Sequence, residues 1–239
     1  MDYALVEQHR SDIAALTTLY VDDLVKLWAT YDGVTDARVV ETGLRSDMAE
    51  LWGDHGSSAS LLGTDLYEAM REDAGAPGRY RPRMFDPLSR DTINRNVGWS
   101  VKPLYSGAQD RDGVLSRLSG SGQRVIANYD RETIAGNVRR DRTAVKYVRQ
   151  ASATCCAFCV VMATRNDLGS HYHRNCRCVI VPSWDGRDVP QHYDTFRAEY
   201  DAAVAQAREA GDPLRIPSKQ RRQTVDTILW RIRENTGRR

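Results

Sequence analysis

"TCCAFCVVMATRNDLGSHYHRNCRCVIVP", residues 154–182, holds every cysteine of the 239-residue chain. Cys155, Cys156 and Cys159 open the stretch, Cys176 and Cys178 close it, and His171 and His173 precede the second group. Zinc takes four nitrogen or sulfur ligands in a tetrahedron, and a Cys-x-x-Cys turn supplies two of them from one short loop. Cys156 and Cys159 make such a pair. His173 and Cys178 follow at C-x2-C-x13-H-x4-C spacing, within the range of structural zinc sites. Cys176 competes with Cys178, so the candidate metal set is four of Cys156, Cys159, His173, Cys176 and Cys178, with Zn as the ion. Two other readings of the same thiols stay open. One is a disulfide from Cys156 or Cys159 to Cys176 or Cys178 after release into an oxidising medium. The other is reduced thiols packed as small, semi-apolar side chains. On each reading the stretch is a stapled β-hairpin, tying the helix before it to the strand "VIVP", Val179 to Pro182.

Outward from this stretch the chain reads as helical. Ile13, Leu16, Tyr20, Leu24, Leu27 and Tyr31 recur at steps of three and four, which places them on one stripe. Gly33 is expected to end that helix and Thr35 to cap a second one bearing Val40, Leu44, Met48 and Leu51. A third is expected over Ser58–Asp73. The segment "AGAPGRYRPRMFDPLS", Ala74 to Ser89, carries three prolines and two glycines and predicts no regular element. Beyond it come a short helix ending before Pro103 and a long helical region, Asp112 to Arg149, interrupted at "SGSG", 119–122. After the cysteines, Tyr193 to Ala207 and the stretch following Ser218 predict two more helices. The fold class is therefore mainly α (α+β). Its expected parts are an acidic helical region 1–75, a linker 76–89, a core 90–183 with the Cys/His hairpin, and a basic helical tail 184–239.

Charge is unevenly placed. Residues 1–75 hold 15 Asp and Glu against 5 Lys and Arg, whereas residues 76–150 hold 7 against 15 and residues 215–239 hold 2 against 8. Different segments are thus expected to meet different partners. Arg139, Arg142, Lys146 and Arg149 fall at helical spacing in the basic middle, and Arg221 and Arg222 lie in the tail. These six are the candidate nucleic-acid-binding residues, of the phosphate-contacting kind. The longest apolar run, Cys155 to Ala163, is well short of the roughly 20 residues a membrane-spanning helix needs, so no membrane partner is expected. Asp2 and Glu7 stand where a signal peptide would be basic and then apolar, which predicts synthesis in a reducing cytoplasm.

Enzymatic chemistry finds little support. No histidine begins an H-E-x-x-H or H-x-E motif, and there is no G-x-S-x-G or Walker-type loop. The βαβ context of a thioredoxin-type Cys-x-x-Cys is missing. His9, His55 and His192 read as surface or satisfied core positions, and the expectation is a protein that is not an enzyme.

The run "ASATCCAFCVVMATR…HYHRNCRCVIVP" resembles the C-terminal signature of the MuF-like phage head morphogenesis (minor capsid) proteins, which pair a Cys-x-x-Cys knuckle with a later H-x-x-C-R-C, a strand and a proline. Cys156, Cys159, His173, Cys176, Arg177, Cys178 and Pro182 occupy those positions. The preceding "YDRETIAGNVRRDRTAVKYVRQAS" is similar to the helix that leads into the motif in actinobacteriophage members, and the likeness covers roughly residues 90–182. The resemblance implies a structural protein of a tailed double-stranded DNA phage, lying in the capsid interior near the portal. Its implied partners are the portal protein, the major capsid or scaffold protein, and packaged double-stranded DNA bound without sequence readout. Two rival functions are a zinc-stapled cytoplasmic nucleic-acid-binding protein and a capsid maturation protease. The first would need a compact helix-turn-helix or finger with base-reading side chains; only phosphate-type basic residues are present.

Overall fold

The computed structural model describes residues 1–106, 110–164, 176–212 and 221–238, with side chains of the last stretch from Thr227 onward. Helix makes up 69% of it, in seven α-helices beside one two-stranded antiparallel sheet, so the class is mainly α. The order is α1 (Tyr3–Ala29), α2 (Ala37–Asp73), α3 (Arg90–Ser100), a 3₁₀ turn (Lys102–Tyr105), α4 (Arg111–Arg140), β1 (Lys146–Gln150), α5 (Ala157–Thr164), β2 (Val179–Ser183), α6 (Tyr193–Glu209) and α7 (Arg221–Thr236).

The main core lies between α1, α2, α3 and α4. Tyr20, Leu24 and Trp28 of α1 meet Val40, Leu44, Met48 and Trp52 of α2, with Val97 of α3 and Leu118 and Ile126 of α4. Burying each such side chain is worth about 1.5–3 kcal/mol. Asp2 caps α1 by accepting the Ala4 N–H at 2.8 Å. That cap extends the apolar stripe back through Val6 and His9, both buried.

Three expectations are corrected here. The second and third predicted helices are one, 37 residues long, capped by the Asp36 carboxylate on the Arg38 N–H rather than by Thr35. Gly56 does not break it and serves close packing instead: a Cβ there would fall 2.5 Å from the Tyr129 ring of α4. Likewise α4 runs unbroken through "SGSG". Gly122 leaves room for the buried Tyr20 ring, whose hydroxyl donates to the Leu118 carbonyl at 2.8 Å and accepts from the Trp52 indole at 3.2 Å.

The third correction concerns the basic face. Helix α4 stops at Arg140, and Lys146 and Arg149 belong to β1. Arg139, Arg142, Lys146 and Arg149 therefore do not share a helix face. Three residues apart on a strand, Lys146 and Arg149 point to opposite sides, and Arg149 is buried. Asp141 makes the stop. Its carboxylate accepts the Thr143 N–H at 3.0 Å and the Thr143 hydroxyl at 2.6 Å, an Asx turn that competes with helix continuation. The same carboxylate takes the Arg71 guanidinium at 3.0 Å and the Tyr67 hydroxyl at 3.2 Å from α2.

β1 pairs with β2 from Lys146 opposite Ser183 to Gln150 opposite Val179. Val148, Val179, Ile180 and Val181 pack on Leu66, Tyr67 and Met70 of α2 and Ile134 of α4. A separate cluster unites α5, α6 and α7 through Val160, Phe196, Ala203, Leu229 and Ile232. Residues 74–89 form neither helix nor strand. No helix among the described residues is long and apolar enough to cross a membrane.

Burial pushes the Asp141 carboxyl up, but the Thr143 and Arg71 hydrogen bonds outweigh it and hold the group below its ordinary value. A depressed carboxyl contributes stability above its unfolded pKa and loses it as pH falls through the folded value. Asp141→Asn should therefore cost roughly 2–4 kcal/mol near neutrality. The cost should shrink as both proteins are acidified toward the carboxyl range, which denaturant unfolding as a function of pH reads directly.

Candidate metal centre in the cysteine loop

The two cysteine groups both lie inside the long connection between β1 and β2, and the connection is not a simple hairpin. Its first arm turns into α5, so Cys156 immediately precedes that helix and Cys159 lies within its first turn. The Cys-x-x-Cys pair is thus a helix N-terminus rather than a β-knuckle. The second arm, Cys176 to Cys178, runs straight into β2.

These arms bring sulfurs together. The Sγ atoms of Cys159, Cys176 and Cys178 all lie within 4.8 Å of one another, with Cys159 and Cys176 at 3.6 Å. Cys156 also reaches the Cys159 sulfur. A zinc–sulfur bond of about 2.3 Å in a tetrahedron sets its sulfurs about 3.8 Å apart, so the observed cluster fits a tetrahedral thiolate site. All five cysteines are free thiols. His173 lies outside the described residues. Cys159 and Cys178 are buried and Cys156 and Cys176 partly so.

Without a cation, such crowding favours protonated sulfur. The neighbouring Cys156, Cys176 and Cys178 sulfurs, and then burial, push the Cys159 thiol up. At Cys178 the Cys159 hydrogen bond pulls down, but the Cys176 sulfur and burial outweigh it, leaving the thiol raised although the Arg149 charge opposes them. Burial pushes Cys155 up to about 12, so it is a neutral apolar thiol beside the cluster.

Arginines hold the loop's backbone. Arg131 of α4 is buried and donates to the Cys178 carbonyl at 2.6 and 3.2 Å and to the Cys176 carbonyl at 3.1 Å. Arg10 of α1 donates to the carbonyls of Arg177 at 3.0 Å and Gln150 at 3.3 Å. Arg238, just past α7, donates to Ala153 at 2.7 Å and Cys155 at 2.9 Å while paired with Glu199. Sequence reading missed these three. Their only sequence signal is that Arg131 falls in the "YDRET" run, because a guanidinium aimed at carbonyls far along the chain has no local pattern. Next to Arg131, the Asp130 carboxylate meets the His9 ring at 2.8 Å, and both are buried, so His9 is a satisfied core position.

Of the phosphate-type candidates, Arg139 and Arg142 are exposed, Lys146 is partly covered and Arg149 is buried near Cys178. Arg139 lies 3.6 Å from Glu132. Arg221 and Arg222 begin α7, and their side chains lie outside the described residues.

Fold and site together define a helical protein in which a cysteine-rich loop, with three of its sulfurs within metal-binding distance, is clamped by arginines onto a bundle and a two-stranded sheet. The chain belongs to the VG15 protein family, which matches residues 1–203 and therefore takes in the bundle, the sheet and the whole cysteine loop. The family marks a phage-derived protein. No curated protein and no solved structure matches the chain.

The Arg131 clamp makes a direct prediction. Arg131→Met removes three donated hydrogen bonds from buried carbonyls and should destabilise the fold by roughly 3 kcal/mol. Arg131→Lys should recover only part of that loss, since a compact ammonium lacks the planar fork that presents several donors to both carbonyls in a fixed geometry. Equal unfolding midpoints for all three proteins would show that the clamp contributes nothing.

Proposed function

We propose that this protein is a minor capsid, head-morphogenesis protein of the MuF-like type, a structural and non-enzymatic component of a tailed double-stranded DNA phage. The observation that carries the reading is the co-occurrence of Cys156-x-x-Cys159, H-x-x-C-R-C from His173 to Cys178, strand β2 and Pro182 in a phage-derived chain. The protein sits in the capsid interior against the portal, in contact with capsid or scaffold protein and with packaged DNA. Its cysteine loop carries one structural zinc on Cys159, Cys176 and Cys178, with Cys156 or His173 as the fourth ligand. Bound there, the ion supplies a cross-link between the two arms and keeps the sulfurs as thiolates. Arg149, whose charge already favours the Cys178 thiolate, offsets part of the negative charge so formed.

Support for a protein partner at the acidic front comes from α2. Glu50, Asp54, Asp65 and Glu68 are exposed, and at 3.6 residues per turn all four fall within one narrow face of the helix. Exposed Leu61 lies on the same face. Such a stripe repels DNA and suits a basic surface on the portal. Because α1 and α2 build the main core, this face is tested by charge reversal and not by deletion.

Two measurements test the proposal. Purified protein should co-sediment with the isolated portal and be found in mature particles, and replacing the four acidic residues by lysine should abolish portal co-sedimentation without lowering the melting temperature. Absence from particles together with no portal association would overturn the capsid reading. For the metal, protein purified under reducing conditions should contain one zinc per chain, and Cys159→Ser should lose it and melt far lower. Zinc-free protein of unchanged stability would retire the ion.

A further inference from the structure

The segment after α2 is pinned across the seam between α2 and α4. Asn137, fully buried on α4, accepts the Arg83 N–H at 2.8 Å and returns a hydrogen bond to the Arg83 carbonyl at 2.9 Å, as a neighbouring strand would. The Tyr80 hydroxyl donates to the same Asn137 amide oxygen at 2.8 Å. Further on, the Phe85 N–H donates to the Thr133 hydroxyl at 3.2 Å and the Phe85 carbonyl accepts from Ser60 at 2.8 Å. Gly136 leaves room for the Phe85 ring, and the Arg140 guanidinium lies over that ring at 4.7 Å.

Burial alternates along this segment. Arg79, Arg81 and Arg83 are exposed, while Tyr80 and Pro82 between them are half-buried. Such a period of two is that of an extended chain, which Pro82 also imposes on the residue before it. Three guanidiniums thus leave one side at intervals of about 6.6 Å. With Arg140 they line an open cleft of about 520 Å³, together with Tyr80 and Pro82. Among the described residues, none of the four arginines has a carboxylate within ion-pairing distance. The nearby carboxylates are engaged elsewhere, Asp141 by Arg71 and Asp86 by the Tyr129 hydroxyl. Four uncompensated cations on a rigid backbone repel one another and are relieved by a polyanion.

We infer that Arg79, Arg81, Arg83 and Arg140 form a binding cleft for the phosphodiester backbone of double-stranded DNA. The interval between successive guanidiniums is close to that between successive phosphates of one strand, and each planar fork can take a phosphate through two hydrogen bonds. The contact reads no bases, since phosphate oxygens carry no sequence information. This inference rests on the capsid-interior reading only for where DNA is met. The cleft itself stands on its residues, and it replaces the single basic helix face expected from the sequence.

The test uses the full-length protein with a short mixed-sequence DNA duplex, titrated at several salt concentrations. Each phosphate contact contributes about 0.9 to the slope of log affinity against log salt, so the triple variant Arg79→Ala, Arg81→Ala, Arg83→Ala should flatten that slope by about 2.7 and weaken binding roughly tenfold or more. The corresponding triple Arg→Lys variant should keep most of the slope. Melting temperatures should agree for all three proteins, since the altered side chains are exposed. DNA binding with an unchanged slope in the alanine variant would overturn the cleft while leaving the capsid reading intact. Wild-type protein that binds an acidic polypeptide through these arginines and binds no DNA would overturn it as well, whatever portal co-sedimentation shows.

Discussion

Helix α4 buries a run of polar side chains in its second half, and each is matched to a different part of the chain. Tyr129 donates to Asp86, Asp130 meets His9 of α1, and Arg131 holds the carbonyls of Cys176 and Cys178. Thr133 donates to Ser60 of α2, and Asn137 binds both polar groups of the Arg83 backbone. A buried polar group left without a partner costs about 1–3 kcal/mol, and a charged one more. None of these elements can shift along α4 without exposing such a group. The apolar core supplies the bulk of the attraction, which is non-directional; the polar run fixes which segment lies where.

Arg131 is the member with most at stake. Carbonyls at a loop that enters a strand have no ladder partner of their own and must find donors elsewhere. One guanidinium with five donors answers two of them at once, at the cost of removing a charge from water. That arrangement makes the position of the Cys-x-Cys arm a property of the bundle and not of the loop. Arg10 and Arg238 extend the same device to the other carbonyls around the loop, from α1 and from the end of α7. A metal arriving at the sulfurs would meet arms already placed near tetrahedral spacing, so less ordering entropy remains to be lost on binding.

How much of this was legible in the residues depended on the range of the interaction. The stripes Ile13–Tyr31 and Val40–Leu51 report burial at helical period, and they place α1 and the first part of α2 correctly because local periodicity is all a packing face requires. The "SGSG" motif misled, since glycine as a breaker and glycine as a close-contact residue look alike until the Tyr20 ring opposite Gly122 is known. Helix spacing was also seen at Arg139, Arg142, Lys146 and Arg149, yet Asp141 turns the chain out of the helix between them through its bonds to Thr143, Arg71 and Tyr67. Cysteine spacing predicted that the thiols of the two arms converge, which they do for Cys159, Cys176 and Cys178. It did not predict that the first arm is helical, because a Cys-x-x-Cys spacing suits a helix turn as well as a knuckle.

The change of charge sign along the chain gains a physical meaning from the turn that carries it. Helix α2 ends at Asp73, and Gly75 and Gly78 take positive φ values of 58° and 73°, which a residue with a Cβ adopts only under strain. Those two positions reverse the chain, so that Arg79 to Arg83 run back over the α2–α4 seam instead of trailing into solvent. Arginines on a loose linker would also attract a polyanion, but each would surrender its conformational freedom on contact. Held by Asn137, Thr133 and Ser60, the backbone beneath them has already made that sacrifice during folding. The polar run of α4 thereby serves two ends of the molecule with one mechanism, fixing the sulfurs through Arg131 and the guanidiniums through Asn137.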